Sequence, residues 1–149
     1  MCLNTKEPSC TNAFQSNDSM YIPKLYRNEN PEEVRRFIRE NGFAVLVNQT
    51  EGNLWATHLP LELDQNEQGQ EVLLGHMSRA NPQWREMENN AAVMAIFQGP
   101  HAYISSSWYD HVNVPTWNYI AVHVYGTMRL LEGEVLLASL KKLVNRYEA

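Results

Sequence analysis

Cysteine is scarce in this 149-residue chain: Cys2 and Cys10 are the only two, both in the leading segment, where they cannot staple the body of a fold. That usage suits a reducing cytoplasm. Positive charge is also short, with 12 Lys+Arg against 17 Asp+Glu and a formal net charge of −5. This is the wrong sign for a surface that neutralises nucleic-acid phosphates over a wide footprint, so direct DNA binding is disfavoured, although a local basic patch remains compatible with it. No apolar run reaches the length of a membrane helix; the longest are strand-sized. The opening residues, MCLNTKEPSCTNAFQSNDS, lack the apolar middle of a secretory signal. Residues 1–19 are expected to be a disordered tail and residues 20–149 the folded domain, with "MYIPKLY" from Met20 reading as a beginning. There is no phosphate-cradling glycine loop, no Ser-His-Asp elbow and no paired-carboxylate motif, which removes support for kinase and hydrolase chemistry. The five histidines, at 58, 76, 101, 111 and 123, form no helical pair and have no nearby cysteine, so a metal site has little support.

What is present suits one globular domain: 44% of residues are hydrophobic and 19% charged. "NENPEEVRRFIRENG" carries a helix start at Asn30, with Pro31 in the first turn, Glu33 reaching back in a capping box, an apolar face of Val34, Phe37 and Ile38, and Gly42 as the stop. Strands follow at 43–48, 54–63 and 72–78, with Pro60 marking an edge or a bulge because it cannot donate to a ladder. "NPQWREMENN" (81–90) reads as a short helix capped by Asn81. Strands at 92–99 and 101–109 flank a Gly99-Pro100 turn, a long strand at 119–131 bends at Gly126, and a final helix repeats Leu136, Leu140, Leu143, Val144 and Tyr147. Six mostly antiparallel strands with α decoration predict a small closed barrel.

Three constellations carry chemistry. In "ATHLPLEL", Thr57 and His58 precede Pro60, whose missing N–H frees a strand edge able to bond the carbonyl and imide edge of a planar heterocycle; a sheet-edge threonine and a surface histidine are the plainer reading. In "GHMSRANPQW", the Arg79 fork, the Ser78 hydroxyl and the helix opening at Asn81 make an anion socket, or else simply a capped helix with a solvated arginine. Tyr103, Trp108, Tyr109, Trp117 and Tyr119 collect rings beside the polar Ser105, Ser107, Thr116 and Asn118, with Pro115 stiffening the approach to Trp117 and Asn118. Core packing accounts for part of those rings without any ligand. A phosphate socket, a strand edge and an aromatic wall together suggest a phosphorylated planar cofactor. Flavin mononucleotide (FMN) fits, and so does pyridoxal phosphate, although the strand segments contain no lysine for a Schiff base.

The blocks "MYIPKLY", "ATHLPLEL", "GHMSRANPQW", "GPHAYISSSWY" and "VPTWNYIAVHVYG", in order from Met20 to about Tyr147, resemble the signatures of the PaiB family, FMN-binding negative transcriptional regulators. The resemblance implies a six-stranded antiparallel split β-barrel of the flavin-reductase and pyridoxamine-phosphate-oxidase type, and a cytoplasmic homodimer with FMN at the subunit interface. It implies that the isoalloxazine lies along Thr57, His58 and Leu59, that Ser78, Arg79 and Asn81 hold the phosphate, and that Trp117 and Asn118 close the pocket from the partner subunit. Two features depart from the family pattern. Ser106 stands where proline is common, and the residues after the last helix do not include the family's "KLSQNR"-like motif, so weaker FMN binding is expected if that segment completes the barrel or the dimer.

The residues themselves hold no helix-turn-helix spacing and no basic stripe, so a regulatory role is expected to be indirect, through flavin or redox sensing. The alternative is a flavin-dependent oxidoreductase or a haem-handling enzyme of the same superfamily. His101 or His111 would then be the first candidate for an axial ligand or proton donor, against the plainer reading of a strand-end histidine.

Overall fold

The computed structural model describes residues 2–4, 21–50, 52–87 and 92–148. The protein is mainly β. An antiparallel sheet of five long strands runs in the order β4-β3-β2-β5-β6, with β2 at Phe43–Thr50, β3 at Asn53–Gln65, β4 at Glu71–Gly75, β5 at Ala92–Ile104 and β6 at Thr116–Arg129. Among the described residues three α-helices decorate it: α1 (Pro31–Glu40), α2 (Gln83–Met87) and α3 (Gly133–Tyr147). Among the described residues the outer strands β4 and β6 form no ladder with each other. The backbone of a three-residue segment, β1 (Cys2–Asn4), pairs antiparallel with both. Most of the expected disordered tail, residues 5–19, lies outside the described residues.

The six long strands expected from sequence are five, because residues 92–109 do not form two strands around a Gly99-Pro100 turn. They form one strand, β5, which ends at Ile104 and is followed by a single 3₁₀ turn at Ser106–Trp108. Register explains the difference. Gln98 lies opposite Ala121 and His101 opposite Tyr119, so Gly99 and Pro100 together oppose Ile120 alone. The dipeptide is therefore a β-bulge, where a residue without an N–H interrupts no ladder bond. Gly99 is also needed for packing, since a Cβ there would lie 2.6 Å from Cε2 of Phe37 on α1.

Alternation along the strands sends one face inward. Ala44, Leu46, Leu59, Leu61, Leu73, Val93, Ala95, Phe97, Val124 and Met128 form the core together with Ile38 of α1. On the opposite face, the cross-strand rows Val45–Ile96–His123 and Val47–Met94–Tyr125 are only half-buried.

Helix α1 begins where Asn30 and Pro31 predict, with the Asn30 side chain accepting from the N–H of Glu32 at 3.1 Å. The expected capping box is rearranged: the Asn30 N–H donates to Oδ1 of Asn28 (2.8 Å), and the Glu33 carboxylate takes the side-chain amides of Asn28 (2.7 Å) and Asn30 (3.2 Å). Arg35 ties α1 to the sheet through Glu71 (2.6 Å), and α3 is tied by Lys142 to Asp64 (2.7 Å) and by Arg146 to Glu62.

Candidate functional site

Strand β3 changes partner at Pro60. Residues 53–60 pair with β2 and residues 61–65 with β4, so among the described residues the first half of β3 has no strand on its β4 side. The Leu61 N–H donates to the Gly42 carbonyl at 2.8 Å, which makes 61 and 42 a hydrogen-bonded pair. By alternation Leu59–Ala44 and Thr57–Leu46 are bonded pairs too, and the main-chain groups of His58 point away from β2, toward the unpaired side. Pro60 points the same way, and its missing N–H costs the ladder nothing. Three adjacent candidates thus separate into different roles. Leu59 is 3% exposed and its side chain belongs to the core, whereas the His58 ring sits on the outer face, stacked on Phe43 at a centroid distance of 6.3 Å.

The loop leaving β4 contains the proposed anion socket. Ser78 opens a tight turn, its carbonyl accepting from Asn81 N–H (3.0 Å) and its hydroxyl from Ala80 N–H (3.2 Å). The Arg79 carbonyl is held by the Trp84 indole N–H at 3.0 Å. Its exposed guanidinium has no acidic or carbonyl partner among the described residues. The helix that follows spans only Gln83–Met87, and the Gln83 N–H is already capped by Asn81 Oδ1 at 3.0 Å. The socket therefore rests on Arg79 and Ser78 more than on a helix dipole, which needs aligned turns to accumulate.

Thr57 and Asn81, far apart in sequence, meet: Asn81 Nδ2 donates to Thr57 Oγ1 at 2.9 Å. The Thr57 hydroxyl in turn donates to Gln83 Oε1. The β3 edge and the Ser78–Asn81 turn are thereby fastened together. Gln83 and Asn48, both buried and polar, were missed by sequence reasoning. The available signals were a polar residue closing the apolar run "FAVLVN" and a glutamine directly after the Asn-Pro start.

Trp117 and Asn118 lie elsewhere. They belong to the opening residues of strand β6, where among the described residues it pairs with β5 alone, and β2 and β5 stand between them and β3 in the strand order. Consecutive strand residues face opposite ways, so the two side chains occupy opposite faces of this two-stranded arm. Trp117 packs with His101 (5.9 Å) and Tyr103 (5.7 Å), and it is 59% exposed. The remaining rings of this region, Trp108, Tyr109 and Tyr119, are exposed as well, so the aromatic cluster is an outer surface and not core packing. His111 bonds Asp110 (2.8 Å) near the tip of the arm. His123, half-buried in the outward face, is held below the ordinary imidazole range by burial.

A strand edge offering the His58 N–H and neighbouring carbonyls, fastened to a turn whose guanidinium has no acidic or carbonyl partner among the described residues, is a donor set for a flat heterocycle with an anionic tail. Among the described residues no helix is long and apolar enough to cross a membrane.

Comparison with known proteins gives the family of the chain. Residues 20–149 match the family model described as "Putative FMN-binding domain". The chain is 46% identical over 129 residues, 87% of its length and 62% of the relative's, to the Bacillus subtilis "Protease synthase and sporulation protein PAI 2". It is 33% identical over 84 residues to the uncharacterized protein YKL070W of Saccharomyces cerevisiae, covering 53% of this chain and 50% of that one. It is 27% identical over 142 residues to the uncharacterized protein AN0679 of Emericella nidulans, covering 74% and 57%. The chain thus spans between half and two thirds of the length of these relatives. With a fastened edge and turn, and a family model covering all but the leading residues, the chain belongs to the FMN-binding domain family.

Proposed function

We propose that the protein is a PaiB-type flavoprotein whose sheet, with β1, is a split barrel, and that it works as a homodimer holding FMN between subunits. The observation that carries this reading is the edge of β3, unpaired among the described residues, fastened beside Arg79, which has no acidic or carbonyl partner among them. The His58 main chain pairs with the polar edge of the ring and the Leu59 backbone supports it, while Ser78 and Arg79 take the phosphate. Thr57 and Asn81 hold edge and turn together. When bound, FMN supplies one- and two-electron redox chemistry, and the protein orients and shields it.

What supports the dimer is the outward face. Val45, Val47, Met94 and Ile96 make it apolar, and Trp117 extends it along the arm. Such a patch on one chain marks an interface. Because Trp117 is two strands removed from β3, Trp117 of the partner subunit is the ring that covers the flavin. The regulatory output is indirect: the net charge of −5 opposes a DNA surface, and the flavin's redox state is the sensed variable.

Titration of the purified chain with FMN, followed by flavin fluorescence and absorbance beside a light-scattering mass, tests the reading. A folded dimer that stays colourless and indifferent to FMN would end it. Retention on specific DNA at near-physiological salt would replace the indirect route by a direct one, and NAD(P)H-driven turnover of an acceptor would make the protein an oxidoreductase.

A further inference from the structure

Gln83 is 1% exposed and spends every side-chain hydrogen bond inside the protein. Its Nε2 donates to the Leu46 carbonyl (3.2 Å) and to Oδ1 of Asn48 (2.8 Å), which is itself 3% exposed, and its Oε1 accepts the Thr57 proton. Thr57 accepts from Asn81 Nδ2 (2.9 Å), and Asn81 Oδ1 accepts from the Gln83 N–H (3.0 Å). These bonds close a ring, Gln83 to Thr57 to Asn81 and back to Gln83, with two anchors in β2. The only proton of Thr57 and both amide protons of Gln83 are committed, so neither side chain has a proton left for a ligand.

We infer that Gln83 is a positioning residue of the flavin site: it fixes the separation between the β3 edge and the turn bearing Ser78 and Arg79. The inference rests on the FMN reading above. An apolar side chain at 83 would fill the same volume, but it would leave Thr57 and Asn48 without this partner and untie the ring. A site that must present a ring-binding edge and a phosphate-binding turn at one spacing gains from such a lock before the ligand arrives.

Gln83→Glu separates positioning from bulk stability. Its protonated acid has one O–H to donate and a carbonyl to accept the Thr57 proton. The ionised form has no donor and sets charge against the Leu46 carbonyl and Asn48 Oδ1. Burial pushes such a carboxyl up, so the change falls within an accessible pH range.

FMN affinity of the full chain is read as a ratio to wild type at each pH, which cancels the titration of the flavin phosphate. Circular dichroism at the same pH values confirms the folded fraction. The ratio is expected to be within about threefold of unity near pH ~5 and to fall by about tenfold or more near pH ~8. Gln83→Met, of similar length and without hydrogen bonds, should bind weakly at both. A flat ratio for Gln83→Glu overturns the inference. If that variant unfolds at the higher pH, Gln83→Met decides, and wild-type affinity in a folded Gln83→Met protein overturns it. A wild-type chain that takes up no FMN overturns the proposed function itself, whereas wild-type binding with unaffected variants overturns only the role of Gln83.

Discussion

Arg79 and His123 place opposite demands on their surroundings, and each gives a prediction at the scale of one side chain. The Arg79 guanidinium is exposed and makes no ion pair or side-chain hydrogen bond among the described residues, so Arg79→Ala should leave the melting temperature unchanged. Its FMN affinity should fall by a charge-assisted hydrogen bond, about 1.5–3 kcal/mol, in a fluorescence titration. Unchanged affinity would remove Arg79 from the site. His123 is governed by burial, which favours its neutral form in the folded chain. As pH falls, the unfolded chain takes up the proton first. The stability it contributes is therefore complete above the ordinary histidine value of 6.5 and is lost as pH drops through the lower folded value. Melting curves between pH ~7.5 and ~5 should slope less for His123→Gln than for wild type, and equal slopes would show that this ring does not set the acid limit.

At the scale of elements, α1 was legible because its Asn-Pro start and apolar face are local signals that no distant partner overrides. The span 92–109 was misread for the converse reason. A Gly-Pro pair can make a turn or a bulge, and the choice is made by β6, which offers an unbroken ladder to both sides of the pair. Trp117 and Asn118 were read as loop residues closing one pocket, but β6 already includes Thr116, and strand alternation separates them. The lock built by Gln83 was invisible because its partners, Leu46, Asn48 and Thr57, are joined to it only by the folded sheet. The bulge itself is testable. Gly99→Ala would drive a methyl into Phe37 and should destabilise the protein by about 1–3 kcal/mol in denaturant unfolding, and Phe37→Leu in the same chain should recover part of that loss. Additive losses in the double variant would mean that the ring is not what Gly99 accommodates.

For the whole molecule, the half-buried rows of β2, β5 and β6 and the ring-bearing arm form the surface that the proposed dimer covers. Met94→Lys, at the centre of that surface and remote from Ser78 and Arg79 in the strand order, should give a monomer by light scattering. It should also lose FMN in the same titration, because Trp117 of the partner subunit would no longer reach the ring. A monomer that retains full FMN affinity would put the whole site within one chain. The composition that argued against a DNA surface is likewise a property of the whole chain, whereas the site was legible only in fragments whose spacing the fold supplies.

The two-against-one opposition at Gly99–Pro100 has an arithmetical effect on which side of the sheet each later residue occupies. Before it, odd-numbered positions of β5 such as Val93, Ala95 and Phe97 turn inward; after it, odd-numbered His101 and Tyr103 join the side occupied by Met94 and Ile96. One extra residue inverts the parity. Removing Pro100 alone would restore plain alternation, with Gly99 opposite Ile120 and His101 still opposite Tyr119, so the imidazole and the phenol would stay beside Trp117 and only the local bend would be lost.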